Sequence, residues 1–301
     1  MTVVADHQPV MLQETLGFLD VKPNNWYIDA TFGRGGHTAA ILDKQGRVLA
    51  FDWDIEAIAF GETHFSTAIA EGKLILNRAS FSTMSDTIKG TAAKHSIPCF
   101  TSVLFDFGTS SDQLTSGDRG FSFSHQGPLD MRMDQRLGVK AMDLLALVPE
   151  KQLAELFFEQ GGEPESRQIA KAIKTSPVPI TTTSQLSELI ELVKHKHAGR
   201  LHPATKVFQA LRIAVNSELD EITAALPQSL EIIEPGGVII TIAFHEGEDR
   251  LVKNAFRAWQ NAERGLVETK KPVTPSAEEI TSNPRARSAK LRVFRKHTHD
   301  S

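Results

Sequence analysis

Three aspartates, Asp29, Asp52 and Asp106, each close a short apolar run, and a glycine-rich turn, FGRGGH, lies between the first two. Acids so placed accept hydrogen bonds from ligand hydroxyls, while glycines take positive φ and let a ligand approach the backbone. Asp52 follows the turn by roughly 20 residues, the spacing at which an acid takes ribose hydroxyls in a dinucleotide fold. The turn itself departs from that fold's pattern. Counted from Gly33 it reads G-R-G-G-H-T, with no glycine at the sixth place, so a pyrophosphate fits poorly. An acid before the turn and a second at the next strand end suit S-adenosylmethionine, which carries a ribose but no phosphates.

These residues need a sheet to hold them. Trp26, Tyr27 and Ile28 predict a strand running into Asp29, and a helix from near Gly36, carrying Ala39, Ala40, Ile41 and Leu42, would turn its free N–H groups into the loop. Arg47 to Phe51 is the second strand, Lys73 to Leu76 the third and Ser102 to Phe107 the fourth. Phe81, just past the third, suits either an adenine or the core. Ligands of open α/β sheets bind at strand carboxyl ends, so the three acids are expected to face one crevice. No convincing strand follows until about residue 237. Helical spacing instead runs over 149–160, 164–174 and 184–194, an inserted helical domain of about 100 residues. The boundaries read as 1–111 for the first part of the core, 112–214 for the insert and 215–301 for the second part of the core.

A long helix from about Pro203 returns the chain to the strand Val238 to Phe244. A helix with Leu251, Val252, Ala255, Phe256 and Trp259 follows, then strands at Leu266 to Thr269 and Ala289 to Phe294. Alternation of strands and helices with a terminal hairpin describes a mostly parallel doubly wound sheet. Before it, Met11, Leu12, Thr15 and Leu16 suggest a short helix that lies over the cofactor mouth or, the preferred reading, packs on the sheet. Lys271 to Pro284 is read as a flexible loop from its Pro, Ser and Glu content.

Composition narrows the class. Hydrophobic content of 41% and charge of 23% over 301 residues describe a soluble globular protein, and a net charge of −4 makes any polyanion contact local. A single cysteine, Cys99, excludes an intrachain disulfide and fits a reducing compartment. The start of the chain lacks a signal-peptide pattern, and no apolar run is long enough to span a membrane, so a cytoplasmic protein is expected. His195, His197 and His202 lack the cysteine or tight acid set that would complete a site, so no protein-held metal is expected.

The motifs HQPVMLQE, DATFGRGGHT, FDFGTSSDQL, RGFSF, GPLDMRMD, HPATKVFQALRIAVNSEL, FHEGEDRLVK and NPRARS run nearly end to end. With them the chain resembles the bacterial small-subunit (16S) ribosomal RNA cytosine-N4 methyltransferases of the H type. The resemblance implies a class I S-adenosylmethionine-dependent methyltransferase fold, Rossmann-like and α/β, with a mostly parallel seven-stranded sheet and an inserted all-helical substrate-recognition domain. It implies N4-methylation of a decoding-region cytidine, with the RNA or the 30S particle as partner. It carries cofactor roles onto Gly35, Gly36, His37, Asp52, Phe81, Asp106 and Gln113. Two departures stand out: Thr109 replaces a hydrophobic residue, and Glu246-Gly247 replaces Ser-Leu. The alternative is an RNA-binding assembly factor that keeps the cofactor fold without turnover. Oligomeric state stays open, a homodimer included.

Methylating an exocyclic amine needs positioning and an acceptor for its proton, not a covalent nucleophile. Asp106 is the first candidate acceptor, with Asp130 and Asp134 next, although alternation with Arg132 makes those two equally a structural ion-pair network. Cys99 is read as a buried thiol without a catalytic part. Phe121 and Phe123 are candidate stacking partners for an extruded base, core packing being at least as good a reading. For RNA, Arg285, Arg287, Lys290, Arg292, Arg295 and Lys296 alternate with apolar residues, with no acid among them, and are expected to face solvent along a basic C-terminal strand. Arg200, His202 and Lys206 add a second candidate patch.

Overall fold

The computed structural model describes residues 8–108, 117–194 and 202–298 and divides into two compact units, 1–108 with 219–301 and 109–218. The division falls at 108/109 and 218/219, a few residues from the expected boundaries.

The first unit is built on a seven-stranded sheet: β1 (Trp26–Asp29), β2 (Arg47–Asp52), β3 (Leu74–Arg78), β4 (Phe100–Asp106), β5 (Ile233–Ala243), β6 (Gly265–Val267) and β7 (Lys290–Lys296). Their order is β3-β2-β1-β4-β5-β7-β6; the first five are parallel, and β7 is antiparallel to both neighbours. This is the sheet of a class I S-adenosylmethionine-dependent methyltransferase. Both faces are covered, so neighbouring strand residues alternate between two cores. Ile28, Leu49, Phe51 and Val103 join Met84, Ile222, Val252 and Phe256 on one side. Tyr27, Val48, Ala50 and Leu104 join Met11, Leu19, Ile41 and Phe65 on the other. Covering on both faces is what a parallel sheet requires, and it explains the unbroken apolar strands.

Around this sheet lie α1 (Leu12–Leu19), α2 (Gly36–Asp43), α3 (Ile55–His64), α4 (Ser66–Ala70) and α5 (Met84–His95). In the second unit, α6 (Ala141–Leu147), α7 (Glu150–Glu159), α8 (Ser166–Lys174), α9 (Thr183–Val193) and α10 (Thr205–Asn216) pack on one another and bury Leu153, Phe157, Ile169, Leu186, Ile190 and Leu211. Thr182 starts α9 by accepting from the Gln185 N–H, with the Gln185 side chain closing the capping box. Glu163, fully buried, accepts from the Lys194 ammonium at 2.8 Å.

The chain returns to the sheet through α11 (Glu218–Ile232), and α12 (Glu246–Asn261) and α13 (Ala277–Ser282) complete the first unit. The segment expected as a flexible loop contains α13, capped by Ser276, which accepts from the Glu279 N–H. Glu279 in turn accepts from the Met11 N–H at 2.6 Å, and Asn283 donates to the Gln8 carbonyl at 3.2 Å. The segment is thereby a docked support for the N-terminal residues, and α1 packs on the sheet as expected.

Candidate active site

The turn between β1 and α2 holds Gly33 at φ 54° and Gly35 at φ 70°. A side chain at Gly35 would place its Cβ 2.7 Å from the Phe65 ring and 2.8 Å from the Phe32 ring. At Gly36 the Cβ would meet the Pro9 ring at 3.0 Å, so Pro9 lies against the turn and fixes its course. A Cβ at Gly33 would meet nothing, leaving that backbone open to a ligand.

Asp29 does not face the crevice with its two counterparts. It is 1% exposed, accepts from the Thr38 hydroxyl at 2.6 Å and from the Thr31 N–H at 3.2 Å, and burial pushes its carboxyl above the usual range. It is a strut that ties the end of β1 to α2. Asp52 is only half-buried: it accepts from the Gly33 N–H at 2.8 Å and the Asp54 N–H at 2.9 Å. Burial pushes its carboxyl up to about 6 against the lowering effect of those two donors, with Asp54 and Asp29 adding to the rise.

Asp106 ends β4. Its N–H donates to the Thr31 hydroxyl at 2.7 Å, which pins the backbone, while Oδ1 has no hydrogen-bond partner among the described residues. His37, in the first turn of α2 and 6% exposed, brings Nε2 within 3.5 Å of Asp106 Oδ2, and neither ring nitrogen makes a hydrogen bond there. Phe81 is half-buried, its ring edge-on to Phe105 at 5.8 Å and tilted against Phe107 at 6.1 Å. The turn around it is clamped from α11. Ser80 contacts the Glu221 carboxylate, and Gln228 donates to the Ser82 carbonyl and accepts from the Ser85 N–H. Glu221 and Gln228 were invisible to sequence reasoning because they stand more than 140 residues from the turn they hold.

These features fit S-adenosylmethionine. Unsatisfied polar atoms on His37 and Asp106, an open glycine turn, an ionisable acid on β2 and a partly exposed aromatic after β3 lie at carboxyl ends of adjacent parallel strands. Gln113 and Thr109, named from the motif, lie outside the described residues, as do His195, His197 and Arg200.

Several expected site residues are committed elsewhere. Asp130 receives the Arg132 guanidinium at 2.7 and 2.8 Å; burial alone would raise its carboxyl, but Arg132 and Lys140 hold it below the usual range. Asp134 is paired bidentately with Arg136. Both carboxylates therefore act as ion-pair anchors of the LDMRMD turn, and neither is presented as a base. Arg119 and Asn216, unremarked in the sequence, bond the same turn, Arg119 to the carbonyls of Arg132 and Met133 and Asn216 to the Met131 carbonyl and Met133 N–H. Phe121 is core, and Phe123 is already stacked on His202 at 4.2 Å.

The basic strand also turns inward. Arg292 is 6% exposed and grips Asp249 of α12 at 2.6 and 3.1 Å, while Lys290 reaches Glu246 at 2.7 Å. Arg295 pairs with Glu268, and Lys296 donates to the Ile233 carbonyl. β7 lies between two strands and beneath α12, so the alternation that marks a half-solvated strand here separates two covered faces. Arg285 and Arg287 alone keep the expected exposure, on the Pro284–Ser288 turn around buried Ala286. Cys99 is exposed, not buried; it donates to Glu234, whose hydrogen bond, with partial desolvation and the Glu234 charge, pushes the thiol up to about 11. It stands before β4, at the opposite end of the sheet from Asp106. No helix among the described residues is long and apolar enough to cross a membrane.

The profile of the MraW methylase family matches residues 4–297. A protein of Beijerinckia indica named ribosomal RNA small subunit methyltransferase H is 46% identical over 96% of this chain and 84% of its own length. Its namesake in Thermomicrobium roseum is 43% identical over 98% and 94%. A solved ribosomal RNA methylase of Streptococcus thermophilus, 10% identical, covers 98% of this chain and 99% of that one with a TM-score of 0.47. Since the family profile and the two relatives extend through the glycine turn, Asp52 and Asp106 and onward nearly to the end of the chain, the protein belongs to the MraW methylase family.

Proposed function

We propose that the protein methylates N4 of a cytidine in the decoding region of small-subunit ribosomal RNA. The cofactor is S-adenosylmethionine, which supplies an electrophilic methyl group on a sulfonium. Small-subunit ribosomal RNA as substrate follows the names borne by the relatives; the N4 position follows the motif resemblance and the chemistry of the crevice.

Gly35, Gly36 and His37 would hold the cofactor at the first turn of α2, Asp52 would accept its ribose hydroxyls and Phe81 would support its adenine. Asp106 acts on the other reactant. The N4 lone pair of cytosine is delocalised into the ring, so an acceptor that draws on an amine proton makes the nitrogen more pyramidal and more nucleophilic. As the methyl group leaves sulfur for N4, with the neutral thioether as leaving group, the amine proton would pass to the Asp106 carboxylate. The observation that carries this reading is the partly exposed Asp106 carboxylate at the end of β4: its backbone is pinned by Thr31, its buried Oδ1 has no partner among the described residues and its other oxygen lies beside His37. The second unit, with its LDMRMD turn, is the substrate-recognition domain in this reading, and Arg285 and Arg287 are phosphate contacts.

The test incubates the protein and its Asp106→Ala variant with methyl-labelled S-adenosylmethionine and small ribosomal subunits from a strain lacking the enzyme, followed by mass spectrometry of the nucleosides. N4-methylcytidine formed by the parent, and reduced by a factor of about 10² or more in the variant, is expected. Cofactor binding without label in any RNA would favour an assembly factor; label at C5 or on the ribose would refute the N4 assignment.

A further inference from the structure

The charge exchange between β7 and α12 leaves a second basic surface that the sequence pattern did not single out. The acids of α12 are engaged at its start: Glu246 with Lys290, Glu248 with the Phe244 N–H and Asp249 with Arg292. From residue 250 to 262 there is no acid. Val252 and Phe256 face the core, with Leu251, Ala255 and Trp259 packed beside them. At 100° per residue, Arg250, Lys253, Asn254, Arg257 and Asn261 share the opposite side. Arg250, Asn254, Arg257 and Asn261 are exposed, and Lys253 is half-exposed. None of the three basic side chains makes an ion pair or side-chain hydrogen bond among the described residues. A face kept only for solubility mixes both signs, whereas from Arg250 onward this one carries cations and amides alone, and Glu246, one turn earlier on the same side, is neutralised by Lys290.

Its placement is also informative. β5 runs parallel to β4 with Ile242 opposite Asp106, and α12 begins three residues past the end of β5. The stripe therefore starts at the sheet end that holds Asp106, and Arg250 and Arg257 stand about 10 Å apart along the axis. We infer that Arg250, Lys253 and Arg257 form a phosphate-binding stripe that tracks the backbone of the substrate RNA leading to the crevice. Asn254 and Asn261 add hydrogen bonds to phosphate or sugar oxygens. This rests on the ribosomal RNA reading above.

The test measures binding of a fluorescent small-subunit ribosomal RNA transcript between 50 and 200 mM KCl for the parent, for Arg250→Ala/Lys253→Ala/Arg257→Ala and for Arg250→Lys/Arg257→Lys. Three lost phosphate contacts lower the salt slope by about 2 to 3, so that this salt increase weakens the parent about 20- to 40-fold more than the triple variant. The lysine variant keeps the parent slope. Thermal unfolding and calorimetric S-adenosylmethionine binding stay at parent values because the replaced groups are solvated. Arg257→Glu alone gives the same test by charge reversal. A triple variant with the parent's slope and affinity overturns the inference. So does one that binds RNA normally but whole subunits weakly, which would assign the stripe to a ribosomal protein. A parent that neither binds the transcript nor labels ribosomal RNA instead sinks the substrate reading itself, a result separable from failure of the stripe alone.

Discussion

Replacing Arg292 with Ala tests whether the basic strand serves the fold or the substrate. The Arg292 and Asp249 side chains are 8% and 5% exposed and meet in two hydrogen bonds, so removing the guanidinium leaves a buried carboxylate without its main partner. Breaking such a pair from one side costs about 3–5 kcal/mol. Lys290, 3.6 Å from Asp249, still offers partial compensation, which puts the expected loss near the lower figure. For a unit of this size, about 3 kcal/mol lowers the melting temperature by about 6–12 °C. Asp249→Leu with Arg292→Met removes both charges and recovers most of that loss, because the desolvation cost disappears with them. pH adds an independent check. Burial disfavours the Asp249 carboxylate, but Arg292 and Lys290 outweigh it and hold its carboxyl below the ordinary value. On acidification the unfolded chain takes up this proton first, so the pair's contribution is complete above about pH 4 and is lost below it. Differential scanning calorimetry from pH 3 to 8 measures both effects. An Arg292→Ala protein that melts within 2 °C of the parent while its RNA salt slope flattens would refute the inward assignment.

Other predictions concern the crevice and the thiol. If Asp52 must be ionised to accept ribose hydroxyls, S-adenosylmethionine affinity is flat above about pH 7 and weakens about tenfold per unit below its pKa near 6; calorimetry showing constant affinity down to pH 5 would contradict this. Gly35→Ala forces a side chain into positive φ and against the Phe32 and Phe65 rings, for a loss of about 2–5 kcal/mol in thermal unfolding together with cofactor affinity. Cys99→Ser leaves methyl transfer unchanged, and iodoacetamide labels Cys99 slowly at pH 8 but faster in Glu234→Gln, where the hydrogen bond that raises the thiol is weakened.

The strand ends were legible because Tyr27, Ile28, Leu49, Phe51 and Leu104 are apolar on both faces and stop at acids, a pattern with few alternatives in a parallel sheet. The glycine turn was legible for the same local reason. Asp29 misled because its neighbours decide its role: Thr31 and Thr38 take both oxygens, which no count of strand-end acids reveals. Arg292 misled because period-two alternation assumes one wet face, and the helix that covers β7 brings Asp249 from 43 residues away. The support at 277–282 was readable after all. Ser276 followed by Glu279 is a capping signature, outweighed in the reading by the prolines around it. Glu221 and Gln228 illustrate the opposite limit, since nothing local connects α11 to the turn at Ser80.

The second unit interrupts the sheet between β4 and β5, and this has a consequence for how the chain is made. β4 acquires its partner β5 only after roughly 130 further residues, about 6–25 s of synthesis at bacterial rates. During that interval Phe100–Asp106 is an unpaired edge of a nascent sheet, with Val103 and Phe105 on one face and Leu104 on the other uncovered by the elements that later bury them. Such an edge templates intermolecular pairing, so the nascent protein depends on chaperone protection or on rapid closure of the insert. The β4–β5 pairing, which brings Phe100 to Ile233 and Asp106 to Ile242, is the sheet's most distant in sequence, which makes closure the slow step of folding. A circular permutant beginning near residue 219, in which the closing strands precede the rest, would fold with a shorter delay and aggregate less during expression.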